Sequence, residues 1–142
     1  MKRGLRVQRR LASVAYVAPD YEEAIAFFRD ALGFALVEDV DLGDGKRWVV
    51  VAPSRAAGAK LVIAKADGER QRAAIGEAAD GRVAYFLETD DFFRDYEGFA
   101  ARGVKFLEAP RREPYGTVAV FEDLYGNRWD LIEPIRSEPP AG

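Results

Sequence analysis

Asp130 is the residue whose surroundings ask most of it. It sits in the run Trp129-Asp130-Leu131-Ile132, and a carboxylate between a Trp and a Leu is costly to bury unless it is paired or bound. The chain has no histidine and no cysteine. That removes the commonest general base near neutral pH, the commonest metal ligand, and all disulfide and thiol chemistry. Acid–base work falls to carboxylates, and Asp130 and Glu88 are the two candidates. Strand alternation puts Arg82, Ala84, Phe86 and Glu88 on one face unless a bulge intervenes, and turns Glu133 away from Asp130. Arg47, Trp48 and Tyr115 are further candidate ligand contacts. Each has a bland alternative: core or dimer interface for Trp48, a solvated strand end for Glu88, an ordinary turn for Tyr115.

The elements that must position these residues follow from short-range signals. Leu11 to Val17 reads as a first strand. Asp20 caps a helix over Tyr21 to Leu32, with Ala24, Phe27, Phe28 and Ala31 forming one apolar stripe and Gly33 ending it. Strands follow over Phe34–Val40, Arg47–Ala52 and Lys60–Lys65. Residues 67–81 read as a polar, Ala-rich connector with one short helical turn. A strand over Arg82–Glu88 then precedes a helix over Asp91–Arg102, capped by Thr89 or Asp90, with Phe92, Tyr96 and Phe99 on one face. Gly103 stops that helix, Val104–Glu108 is a strand, and Ala109–Pro114 is a loop. Val118–Phe121 and Trp129–Ile132 are paired around the turn Tyr125-Gly126-Asn127-Arg128, and Pro134 ends the second of them. The tail from Ile135 has no apolar period and is expected to fray.

The 142 residues suit one domain over 1–142 with a sizeable core. Lys plus Arg is 21 against 24 Asp plus Glu, a net charge of −3 that offers nothing to attract nucleic acid. No apolar run approaches the roughly 20 residues of a membrane span. The basic start before Leu11–Ala18 imitates a signal peptide, but the apolar run is short and Pro19-Asp20 opens a helix right after it, so the expectation is a solvated arm and a cytoplasmic protein.

The chain repeats itself. Val14-Ala15-Tyr16 returns as Val83-Ala84-Tyr85, Gly33 as Gly103, and Leu61-Val62-Ile63 lies over Trp129-Asp130-Leu131. Each unit has the order strand-helix-strand-strand-strand, module one over about 11–66 and module two over about 82–134. Two such modules together can cover their helices' apolar faces and enclose a cleft between curved sheets.

This doubled βαβββ order, with Ala24-Ile25-Ala26-Phe27-Phe28-Arg29-Asp30-Ala31-Leu32-Gly33-Phe34 in the first module and Tyr125-Gly126-Asn127-Arg128-Trp129-Asp130-Leu131 in the second, resembles the vicinal oxygen chelate superfamily. That group includes glyoxalase I, extradiol dioxygenases, and fosfomycin and bleomycin resistance proteins. The resemblance covers about residues 11–134. It implies an α+β glyoxalase-like fold: two repeated βαβββ modules forming curved mixed sheets around a cleft. Where members use a metal, its ligands lie on the first and last strands of each module. Carried over, those positions are Ser13, Val62, Arg82 and Asp130, with Val83 or Ala84 as alternatives to the third. Asp130 is a strong oxygen ligand and Ser13 a weak one; Val62 cannot ligate, and Arg82 repels a cation.

The resemblance and the missing ligands imply a protein without a metal cofactor that binds a small organic molecule in the cleft, an anion if Arg82 faces it. A lyase or isomerase of glyoxalase I type, with a carboxylate base, is the alternative. A structural or interaction domain that lost its site is the second alternative. Arg82 and Asp130 are expected to share the cavity, either as ligand contacts or as an ion pair replacing a metal. Exposed aromatic surface from Trp48, Phe92, Phe93 and Tyr96 points to a homodimer.

Overall fold

The computed structural model describes residues 7–55 and 58–135. Module one runs β1 (Ser13–Ala18), α1 (Tyr21–Ala26), a π-helical turn (Phe27–Ala31), β2 (Ala35–Gly43), β3 (Lys46–Ala52) and β4 (Lys60–Lys65). A short helix α2 (Glu69–Ala74) lies in the connector. Module two runs β5 (Val83–Glu88), α3 (Phe92–Ala101), β6 (Lys105–Phe106), β7 (Arg111–Glu113), β8 (Gly116–Glu122) and β9 (Arg128–Pro134). The sheets are ordered β1-β4-β3-β2 and β5-β9-β8-β6, with β7 also pairing β8. In each, the first strand pairs in parallel with the last, and the remaining pairs are antiparallel. The expected α+β architecture of two mixed, unclosed sheets is present.

Short-range chemistry accounts for the helix ends. Asp20 and Asp91 accept from the backbone N–H groups of Glu23 and Arg94 at 3.0 and 3.1 Å, satisfying donors that a helix start leaves free. Glu133 turns away from Asp130, as alternation requires, and its Oε1 accepts from the Phe92 N–H at 2.7 Å. Gly33 and Gly103 both stop their helices at positive φ, 72° and 91°.

Several expectations need correcting. The loop expected over Ala109–Pro114 contains β7, which exists because β8 offers it a partner: Arg111 faces Val118 and Glu113 faces Gly116. The first strand begins at Ser13, and Leu11 is exposed. Arg82 lies in the turn before β5, not in the strand. The register shifts between Val83 and Tyr85, so a bulge at Ala84 breaks the alternation that tied Arg82 to Glu88. The expected fraying of the tail falls on residues 136–142, outside the described residues.

The two modules share one core. Tyr16, Phe28, Phe34, Phe121, Trp129 and Leu131 are all buried in it. Phe28 and Phe34 of module one each lie 6.0 Å from the Trp129 ring of module two, and Tyr16 lies 5.9 Å from Tyr85. Burial of each such side chain is worth about 1.5–3 kcal/mol. The helices and the inner faces of both sheets are spent on this core. The outer faces therefore look outward, with Phe86 69 % and Trp48 40 % exposed. Beside these two open faces a cleft remains between the modules, lined by Leu32, Phe34 and Pro53 of module one and by Phe86, Glu88 and Arg94 of module two.

Candidate functional site

The outer face of the second sheet is built in rows. Phe86, Asp130 and Val120 lie side by side across β5, β9 and β8. The next row is Glu88, Ile132, Val118 and Arg111. Tertiary pairing thus brings Asp130 beside an exposed ring, two valines and an arginine.

Asp130 is the polar group that stands out. Its Oδ1 is buried without a hydrogen-bond partner among the described residues. Burial pushes its carboxyl above the usual Asp range, Arg111 pulls it back, and Glu108 pushes it up again. The cation beside Asp130 is therefore Arg111, not Arg82. Arg82 is exposed, before the bulge, and makes no ion pair among the described residues. The predicted Arg82–Asp130 pair is not formed, and with it goes the reason to expect an anionic ligand.

Arg111 is itself engaged. Its Nε donates to Glu108 Oε2 at 2.9 Å and its Nη1 to Glu113 Oε1 at 2.8 Å. These acids, with Tyr115 contributing, hold the guanidinium above its usual range. Glu108 Oε2 also accepts from the Val120 N–H at 3.2 Å. Tyr115 is a half-exposed rim residue of this cluster, as its placement between β7 and β8 allows.

The other predicted contacts scatter. Trp48 does lie on an outer face, that of the first sheet, where its Nε1 donates to Glu38 Oε2 at 2.9 Å. Arg47 points to the opposite side. It is held by Asp39 at 2.6 Å and stacks over Tyr21 at 5.3 Å, a clamp between β3, β2 and α1. Ser13 begins β1 beside Lys60. Glu88 is exposed on the same face as Phe86.

Val62 holds the position in the first sheet that Asp130 holds in the second. Each is on the strand pairing in parallel with its module's first strand, Val62 opposite Ala15 and Asp130 opposite Phe86. The donor set across these positions does not fit a divalent metal, since a valine and an exposed arginine stand where ligands are needed. No group of three or more Asp or Glu among the described residues converges on a metal-sized point.

Sequence reasoning missed Arg111, Glu108 and Glu113. The i, i+2 alternation of Arg111 and Glu113 was the available signal, masked by Pro110 and Pro114. It also missed Asp123, at the turn before β9. Its Oδ2 accepts from Tyr16 Oη at 2.6 Å, Trp129 Nε1 at 3.0 Å and Asn127 Nδ2 at 3.1 Å. Its Oδ1 accepts from the N–H groups of Tyr125 and Asn127, both at 3.0 Å. Asn127 Oδ1 in turn accepts from the Ala78 N–H at 3.1 Å, tying in the connector. Burial, then the Asp123 charge, hold the Tyr16 phenol well above its ordinary value, and the same two causes push Tyr85 up to about 12.

Open paired βαβββ sheets with these motifs define a class, and the comparisons agree. Residues 10–131 match the sequence model of the Glyoxalase/Bleomycin resistance protein/Dioxygenase superfamily, and the chain belongs to that family. An uncharacterized protein of Shewanella frigidimarina (strain NCIMB 400) is 46 % identical over 134 residues, covering 94 % of this chain and 99 % of the relative. Among solved structures, UcmS2 superposes with TM-score 0.75 at 28 % identity, covering 89 % of this chain and 99 % of its own. TnmS3, an antibiotic binding protein from Streptomyces sp. CB03234, superposes with TM-score 0.71 at 25 % identity, covering 92 % and 100 %. No helix among the described residues is long and apolar enough to cross a membrane.

Proposed function

We propose that this chain is a cytoplasmic, metal-free homodimer that binds a small organic molecule against the outer face of its second sheet, with a second copy covering that face. The observation that carries the reading is the buried, partnerless Oδ1 of Asp130 in a row with the exposed Phe86 ring. A polar atom shielded from water without a partner is costly unless something supplies one, and an exposed ring beside it offers apolar area to the same occupant. The likeness to TnmS3, an antibiotic binding protein, supports a small-molecule ligand. A glyoxalase-like lyase or isomerase reaction is the second reading, favoured by the raised Asp130 carboxyl, which suits a general base.

A thermal-shift screen of small organic molecules tests the reading. A ligand at 100 times its Kd stabilises the fold by about 2.7 kcal/mol. Hits should lose their effect in Phe86→Ala and Asp130→Asn; hits that survive both variants bind elsewhere and overturn it. Turnover that accompanies binding and disappears with Asp130→Asn would favour the enzyme. Elemental analysis showing about one tightly held transition metal per chain, lost on Asp130→Ala, removes the metal-free element. Light scattering that gives a monomer mass at micromolar concentration removes the dimer.

A further inference from the structure

We infer that the ligand of this face is an aromatic molecule bearing a protonated amine, and that Asp130 is its counter-charge. The inference rests on the binding reading above and deepens it. Asp130 Oδ1 lacks a donor. An ammonium supplies donors and charge together, and a hydrogen bond between ionised groups is roughly twice as strong as a neutral one. The ring of Phe86 lies in the same row, 69 % exposed, and attracts a cation held over its face as well as an aromatic body stacked on it. Val120 on the far side of Asp130 and Ile132 in the next row complete an apolar floor.

The charge around that floor selects against an anion. Arg111 is the cation that acts on Asp130, and its Nε and Nη1 are already directed to Glu108 and Glu113. One cation thus stands among three carboxylates, and Glu88 adds a fourth at the edge of the face. Arg128 shares the face but sits opposite Glu122, at the end of the strand, where Lys105 also approaches Glu122 at 3.6 Å. An incoming carboxylate would meet like charge before it met a free guanidinium beside Asp130. An incoming ammonium meets the reverse.

Three probes that share one ring system separate the possibilities: 2-naphthylmethylamine, 2-naphthylmethanol and 2-naphthoate, with Kd measured by calorimetry at neutral pH on the full chain. The amine should bind at least about tenfold more tightly than the carboxylate, with the alcohol between them, a gap of about 1.4 kcal/mol. Asp130→Asn should bring the three affinities close together. Because Oδ1 makes no hydrogen bond within the protein, this variant should fold; Asp130→Ser repeats the test, and a thermal melt checks both. Equal or tighter binding of naphthoate overturns the inference, and so does an amine preference that survives both variants. If the alcohol or carboxylate binds, is lost in Phe86→Ala, and the amine does not bind, the inference fails while the binding reading stands. If none of the three binds up to millimolar concentration, both fail.

Discussion

Asp123 and Asp130 are two carboxylates in one hairpin, and the protein treats them in opposite ways. Asp123 looks inward and is saturated: five donors from Tyr16, Tyr125, Asn127 and Trp129 meet its two oxygens. Asp130 looks outward, beside an exposed ring, with one oxygen left without a donor. The first arrangement ties module two to β1 of module one and leaves nothing for a ligand. The second contributes little to the fold and keeps its capacity open. A buried carboxylate is informative through its partners, not through its burial.

Substitutions break this contrast in order of size. Asp123→Ala should be the most damaging, because it strands the Tyr16 hydroxyl, the Trp129 N–H and two backbone N–H groups in the core. At about 1–3 kcal/mol for each buried group left unsatisfied, the loss is about 4 kcal/mol or more, a large share of a typical domain's stability. Denaturant melts measure it, and a loss below about 1 kcal/mol would mean the network is not structural.

Tyr16→Phe removes one donor and leaves the other four. It should cost about 1–2 kcal/mol by the same melts, with the fold and the outer-face binding intact.

Asp130→Asn should act with the opposite sign. Burial raises the native carboxyl above its ordinary value of 3.8, so the folded state disfavours the charge. Stability tied to this group is present in full below the ordinary value and is lost as pH rises through the native one. The variant should therefore melt higher than the parent at neutral pH, and the gain should vanish below the ordinary Asp range. A variant that melts lower at neutral pH would show that Asp130 is paired after all.

The smallest effect concerns Arg82. A double-mutant cycle between Arg82 and Asp130 should give a coupling indistinguishable from zero, whereas the cycle between Arg111 and Asp130 should give a few tenths of a kcal/mol, as for half-exposed charges. A clear Arg82 coupling would show that Arg82 reaches Asp130 and would overturn Arg111 as its neighbouring cation.

Much of the fold was legible in the chain. The repeat, the cap at Asp20, the stops at Gly33 and Gly103, and the orientation of Glu133 all depend on interactions within a few residues or on strand alternation, which sequence carries directly; the cap of α3, expected at Thr89 or Asp90, falls at Asp91. Tertiary structure decided the rest. The strand Arg111–Glu113 forms only because β8 lies beside it, and its two prolines argued for a loop. The bulge at Ala84 shifts which side chains share a face, and so replaced Arg82 with Arg111 as the neighbour of Asp130. The outward turn of both sheets follows from the modules packing through Phe28, Phe34 and Trp129, contacts between residues about a hundred positions apart. Whether a carboxylate is a keystone or a free acceptor depends on donors delivered across such distances. Tyr16 reaches Asp123 over a separation of 107 residues, and no local pattern encodes that meeting.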